Sequence, residues 1–304
     1  MTTVGLTPDV ISYTAAISAC AKGEQWKEAL ALLKEMTAVG LTPDVISYAA
    51  AIGACSKEGQ WEKALALLKE MTAVGLTPNV IHYNSAIHAC AKDEQWKEAM
   101  ALLKEMVAVG LTPDVISYTA AIDACSKGGQ WEKALALLKE MTTVGLTPNV
   151  ISYTAAISAC AKGEQWKEAL ALLKEMTAVG LTPNVVSYTA VVHACSKGGQ
   201  WEKALALLKE MTAVGLTPNV ISYNSAIDAC SKGRQWKTAL AILKEMTAGG
   251  LTPNVISYSS TIDACSRGGR WKEGVDLLEE MRALGFVPDV ITYHALMATC
   301  VKYD

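Results

Sequence analysis

The chain predicts an all-α solenoid of stacked helix-turn-helix units, and three observations predict it. A block of 35 residues, Val10 to Asp44, returns almost letter for letter from Val45, Val80, Val115, Val150, Val185, Val220 and Val255. Each block carries two stretches with apolar residues at helical spacing. Pro, Gly and Asp or Asn return at fixed places between those stretches. A unit this small holds no core of its own, so neighbours must stack, and function is expected on a continuous surface instead of in one pocket. The period divides the chain into residues 1–9, the tail of a preceding partial repeat; 10–289, eight repeats; and 290–304, the first helix of a ninth, truncated repeat. Met1 to Pro8 matches Met141 to Pro148, so the chain is read as beginning inside a repeat and as truncated at both ends.

The elements follow in order. Asp or Asn stands before every Val-Ile-Ser-Tyr stretch or its variant and is the expected helix N-cap. In the second repeat the first helix is expected from about Val45 to about Lys57, with Gly59 or its equivalents loosening the turn. The second helix is expected from Gln60-Trp61 through Met71, ended by Gly75. On the first helix Val10, Tyr13, Ala16, Ile17 and Cys20 form an apolar stripe toward the core. Ile11, Thr14, Ser18, Ala21 and Lys22 gather on a neighbouring face. Trp26, Leu30 and Leu33 point inward from the second helix. The tryptophans at its start are read as wedges between neighbouring repeats, with base stacking as the alternative.

Composition narrows the function. About half of the residues are apolar (51%), yet no apolar run approaches the roughly 18 residues of a membrane span, so no membrane partner is expected. Net charge is −3, which argues weakly against nonspecific polyanion binding. The nine cysteines, from Cys20 to Cys300, occupy one place in the unit. Equivalent residues on stacked helices should lie roughly 9–10 Å apart, beyond disulfide reach, so free thiols serving as packing residues are expected. No metal ligand set and no cofactor is expected. Lys-Glu and Glu-Lys pairs reverse order on successive second helices, as in Lys27-Glu28 and Glu62-Lys63. Stacked neighbours are therefore expected to face opposite charges.

The copies differ at few places. The fifth place reads Thr14, Ala49, Asn84, Thr119, Thr154, Thr189, Asn224, Ser259 and His294. The last place reads Asp44, Asn79, Asp114, Asn149, Asn184, Asn219, Asn254 and Asp289. A ninth-place series, Ser18, Gly53, His88, Asp123, Ser158, His193, Asp228 and Asp263, varies on the same face. Capping accounts for the last-place set, but helix propensity gives no reason for Thr, Asn or Ser at a mid-helix place where Ala is better. Two features stay constant. Ile11, Ile46, Ile81, Ile116, Ile151, Val186, Ile221, Ile256 and Ile291 form an aliphatic ledge. Lys22, Lys57, Lys92, Lys127, Lys162, Lys197, Lys232, Arg267 and Lys302 supply one cation per repeat. An apolar ledge for a base face, two hydrogen-bonding groups for its edge and a cation for its phosphate suit a reader of single-stranded nucleic acid. A solvated cation at a helix end remains the alternative for the lysines.

Val-Ile-Ser-Tyr-Thr/Asn, the Lys ending the first helix, Ala-Leu-x-Leu-Leu-x-Glu-Met and Gly-x-x-Pro-Asp/Asn at this period resemble the pentatricopeptide repeat family in its uniform 35-residue class. The resemblance covers nearly the whole chain. It implies a right-handed superhelical solenoid that binds single-stranded RNA in plastids or mitochondria, one nucleotide per repeat, without catalysis of its own. It further implies that the fifth and last places select the base, the second place sandwiches it and the Lys approaches phosphate. Carried over, Thr14/Asp44 resembles a guanine reader and Asn84/Asp114 a uracil reader. Thr119/Asn149, Thr154/Asn184 and Thr189/Asn219 resemble adenine readers. Asn224/Asn254 is similar to pyrimidine-preferring pairs and Ser259/Asp289 leans to guanine, while Ala49/Asn79 departs from the common pairs. The implied target is 5′-G-(A)-U-A-A-A-(C/U)-G-3′, its bracketed base open. The implied role is organellar RNA processing, stabilisation or translation control by a monomer, with protein partners supplying any catalysis.

Two other classes share some of these features. A tetratricopeptide-like protein scaffold shares the hairpin but has a period of 34 and a Trp/Leu-Gly/Tyr start to its first helix. An enzyme is disfavoured because His82, His88, His193 and His294 are scattered over three different places in the unit and form no recurrent triad.

Overall fold

In the computed structural model, residues 8–303 are described, with the backbone alone for Ile291 and residues 298–303. Two helices form in each repeat: α1 Val10–Lys22, α2 Trp26–Ala38, α3 Val45–Lys57, α4 Trp61–Ala73, α5 Val80–Lys92, α6 Trp96–Ala108, α7 Val115–Lys127, α8 Trp131–Thr143, α9 Val150–Lys162, α10 Trp166–Ala178, α11 Val185–Lys197, α12 Trp201–Ala213, α13 Val220–Lys232, α14 Trp236–Ala248, α15 Val255–Arg267, α16 Trp271–Ala283 and α17 Val290–Tyr303. The chain forms two compact units, Met1–Ala159 and Cys160–Asp304, and the division falls within α9. Within the first, α1, α3, α5 and α7 pack in sequence and each packs on its own second helix. Within the second, α11, α13, α15 and α17 pack in sequence, and α11, α13 and α15 each pack on their own second helix.

Caps set these boundaries. Asp44 accepts the Ser47 backbone N–H, while Ser47 Oγ accepts the Asp44 N–H, a reciprocal capping box. The same box opens α7, α11, α13 and α15. At the far end of α4 the Leu76 N–H donates to Met71 O and the Gly75 N–H to Thr72 O. Gly75 stands at φ +83 there, the left-handed geometry glycine adopts at no cost, so it ends the helix as expected. The inter-helix turn departs from expectation. Only alternate repeats place Gly at its left-handed position; the others hold Glu24, Glu94, Glu164 and Arg234 at φ 56–61, where a Cβ is strained.

The core follows the predicted stripe. Tyr48, Ala51, Ile52 and Cys55 of α3 meet Ala64, Leu67, Leu68 and Met71 of α4, all buried. Burial pushes the Cys55 thiol up to about 11, as suits a packing residue. The tyrosine does more than pack: Tyr48 O–H donates to Glu70 Oε1 at 3.0 Å, and Tyr13 to Glu35 and Tyr118 to Glu140 repeat the clasp. Trp96 packs against the next repeat, where a Cβ on Gly128 would lie 2.3 Å from its Cδ1. Trp166 stands the same way against Gly198. These two rings are wedges, as read from the sequence. Where Lys-Glu and Glu-Lys order reverses on stacked second helices, the structure shows a cation-ring contact. Lys133 Nζ sits 3.5 Å from the Trp96 ring centroid and Lys203 Nζ 4.8 Å from that of Trp166, so the reversed order places a cation over the preceding tryptophan.

Candidate nucleic-acid interface

The aliphatic ledge is exposed. Ile46, Ile81, Ile116, Ile151, Val186, Ile221 and Ile256 are 59–66% exposed, a loss of burial that packing within one chain does not explain. The expected ledge residue Ile291 and cation Lys302 lie outside the described side chains. Beside the ledge, fifth-place Thr14, Asn84, Thr119, Thr154 and Ser259 are half-buried, and Thr189 and Asn224 are buried.

A residue type the sequence reading passed over organises the site. The third place of most repeats, Ser47, Ser117, Ser152, Ser222, Ser257 or Thr292, is fully buried between the fifth and last places of the preceding repeat. Thr14 Oγ1 lies 2.7 Å from Ser47 Oγ, whose hydroxyl donates to Asp44 Oδ1 at 2.7 Å. Thr119 with Ser152 and Thr189 with Ser222 repeat the 2.7 Å contact. Asn at the fifth place uses both ends of its amide. Asn84 Nδ2 donates to Asp114 Oδ1 at 3.1 Å while its Oδ1 accepts from Ser117 O–H at 2.6 Å. Asn224, Asn254 and Ser257 form the same triangle in the second unit. Propensity left mid-helix Thr and Asn without a structural reason, and this triangle supplies one. It also holds the fifth- and last-place groups of a repeat side by side.

The electrostatics are local. Burial raises the Asp114 carboxyl, but hydrogen bonds from Ser117 and Asn84 outweigh it and hold the group below its ordinary value, an acceptor at neutral pH. The cations divide into two sets. Lys127, Lys232 and Arg267 are paired with Asp123, Asp228 and Asp263 four residues back, at 2.9, 2.8 and 2.8 Å. Lys92 donates to Lys57 O. Lys22, Lys57 and Lys197 are exposed and stand in no ion pair among the described residues. The ninth place thus decides whether a cation is neutralised. It also touches its neighbour, since Ser56 Oγ lies 2.9 Å from His88 Nδ1. Among the described residues no group of three His, Cys, Asp or Glu could hold a metal ion, and no helix is long and apolar enough to cross a membrane.

Stacked helical hairpins with paired polar side chains at most junctions within each unit define a helical-repeat protein with a modular surface. Profiles of the PPR repeat family match residues 8–56, 43–92, 78–127, 113–162, 148–197, 183–232 and 218–267, and a PPR repeat profile matches 256–286. The chain belongs to the PPR, or pentatricopeptide repeat, family. Curated protein sequences return no match. Among solved structures it is similar to pentatricopeptide repeat protein PPR10 from maize, at 28% identity and a TM-score of 0.58, over 98% of this chain and 48% of that one. PPR10 in complex with an 18-nucleotide psaJ RNA element matches at 24% identity and 0.55, over 97% of this chain and 53% of that one. The PPR domain of Arabidopsis thaliana protein-only RNase P 1, solved in complex with tRNA, matches at 18% and 0.52, over 59% of this chain and 95% of that domain. The chain therefore spans about half the length of PPR10, and its likeness to the RNase P protein is to the PPR domain alone.

Proposed function

We propose that the chain binds single-stranded RNA in a sequence-specific manner, one nucleotide per repeat, and performs no chemistry itself. The fifth- and last-place groups would address a base edge, the exposed aliphatic ledge its face and the unpaired lysines its phosphate. The observation that carries this reading is the junction triangle, which presents two polar groups per repeat beside an exposed apolar residue. Likeness to PPR10 and to the RNase P domain, both solved with RNA, supports it. The proposed target is 5′-G-N-U-A-A-A-(C/U)-G-3′, with N opposite the Ala49/Asn79 repeat. We assign the chain an organellar role in RNA processing, stabilisation or translation control, with protein partners supplying any cleavage.

An electrophoretic shift with this octamer against its complement tests the reading. Binding of the octamer with the complement left free is expected. Equal binding of both, or of neither, removes sequence reading.

A further inference from the structure

Two neighbouring places break the pattern together. Ala49 is the one fifth-place residue without a hydrogen-bonding side chain, and His82, third in the next repeat, is the one third-place residue that is not Ser or Thr. The His82 imidazole is fully buried. Its Nε2 lies 3.0 Å from Val45 O, which only accepts, so Nε2 carries a proton. That bond replaces one that the fifth-place hydroxyl makes elsewhere, as Thr189 O–H does to Val185 O at 2.6 Å. The imidazole thus takes over the partner that Ala49 leaves without a donor.

A serine hydroxyl donates and accepts at once; a neutral imidazole nitrogen does one or the other. With Nε2 protonated, Nδ1 is a bare lone pair. It takes the Asn79 backbone N–H at 3.2 Å and faces the Asn79 side chain at 2.7 Å. With Oδ1 there, two acceptors oppose each other in a dry site, because burial holds the imidazole pKa below its ordinary value and keeps the ring neutral at pH 7. A half-turn of the amide puts an Nδ2–H against Nδ1, whose lone pair it shares with the Asn79 backbone N–H. It gives up the 3.0 Å bond from Ile81 N–H, which lies at the surface where water replaces it, and the capping contact from the His82 N–H, which keeps its 3.1 Å bond to Asn79 O. Elsewhere the amide is held the other way: Asn149 Oδ1 takes Ile151 N–H, Ser152 N–H and Ser152 O–H, leaving Nδ2 for the groove.

We propose that His82 reverses the Asn79 amide, so that the second repeat offers an acceptor where the Asn149 repeat offers a donor, and favours guanine or uracil. Guanine N1–H and uracil N3–H donate at the centre of the pairing edge, whereas adenine N1 and cytosine N3 accept there. His82 is a positioning residue in this scheme. The base preference rests on the RNA reading above, but the state of the imidazole does not.

Two measurements test it. Long-range ¹⁵N NMR of the free protein at pH 7.5 should show His82 with Nε2 protonated and Nδ1 bare; a proton on Nδ1 overturns the proposal. Four octamers differing only at the second base should bind with G or U about tenfold tighter than A or C, and Ala49→Thr with His82→Ser should move that preference to A. Preference of the unaltered protein for A or C, or an unmoved preference in the double variant, overturns it as well. Asn84→Thr with Asp114→Asn serves as the control. If that swap leaves the third-base preference in place, modular reading has failed, and the NMR result alone decides the role of His82.

Discussion

The two helices of a repeat answer to different constraints. Second helices α4, α8 and α12 share the stretch Trp-Glu-Lys-Ala-Leu-Ala-Leu-Leu-Lys-Glu-Met without a change, whereas first helices α3, α7 and α11 differ at the fifth and ninth places, and α11 also carries Val186, Val191 and Val192 where the other two have Ile, Ala and Ile. The second helix is held by apolar burial, a tyrosine-glutamate clasp and a tryptophan wedged against the next repeat, and each demands one residue type. The varied places of the first helix are polar, half-buried or exposed in most repeats, and bonded to a neighbouring repeat. Any small hydrogen-bonding side chain satisfies that junction, so identity there is free to encode something besides the fold.

This contrast can be broken from either side. The largest effect is expected on the wedge: Gly198→Ile places a Cβ about 2.2 Å from Trp166 Cδ1 and should cost about 1–3 kcal/mol in chemical denaturation. Base preference should survive in the fraction that folds, and a change in preference would show that the two helices are not separable. Next, Asn84→Thr with Asp114→Asn should move the third base from U to A by about tenfold, near 1.4 kcal/mol, with little change in melting. Loss of preference at other bases would erase the distinction drawn here. Glu94→Gly relieves a side chain held at φ 61 and should stabilise the protein by about 1 kcal/mol while leaving RNA affinity unchanged. An unchanged denaturation midpoint would mean that the turn is not strained. The smallest effect belongs to Asp228→Asn, which releases Lys232. The slope of log affinity against log salt should steepen by about 0.7, as for one more phosphate contact to a single strand. A slope that stays put would place Lys232 away from the backbone.

Much of this was legible in the chain. The period, the caps and the glycine stop placed α3 at Val45–Lys57 and the following helix at Trp61, as observed. The ledge and the variable places were legible because near-identical copies make each difference visible. The serine between them was not, because a residue present in nearly every copy at the third helical position reads as a capping partner and nothing more. The Asp or Asn cap was a signal in hand, but that Ser47 meets both Asp44 and Thr14 of the preceding repeat depends on how two hairpins stack. The left-handed Glu24 and Glu94 escaped for the opposite reason. The left-handed turn position favours glycine on local grounds, yet Glu24 and Glu94 hold it at φ 59 and 61.

The sequence by itself determined the repeat, its helices, its buried stripe and the places where variation collects, because periodicity and capping act over a few residues of one chain. Only the tertiary structure decided which polar atoms meet across a junction, which Lys and Arg side chains are neutralised by Asp123, Asp228 and Asp263, and that Ala49 and His82 change as a pair. Those outcomes turn on distances between side chains 30 or more residues apart, or on which rotamer an exposed lysine adopts. No local rule specifies them.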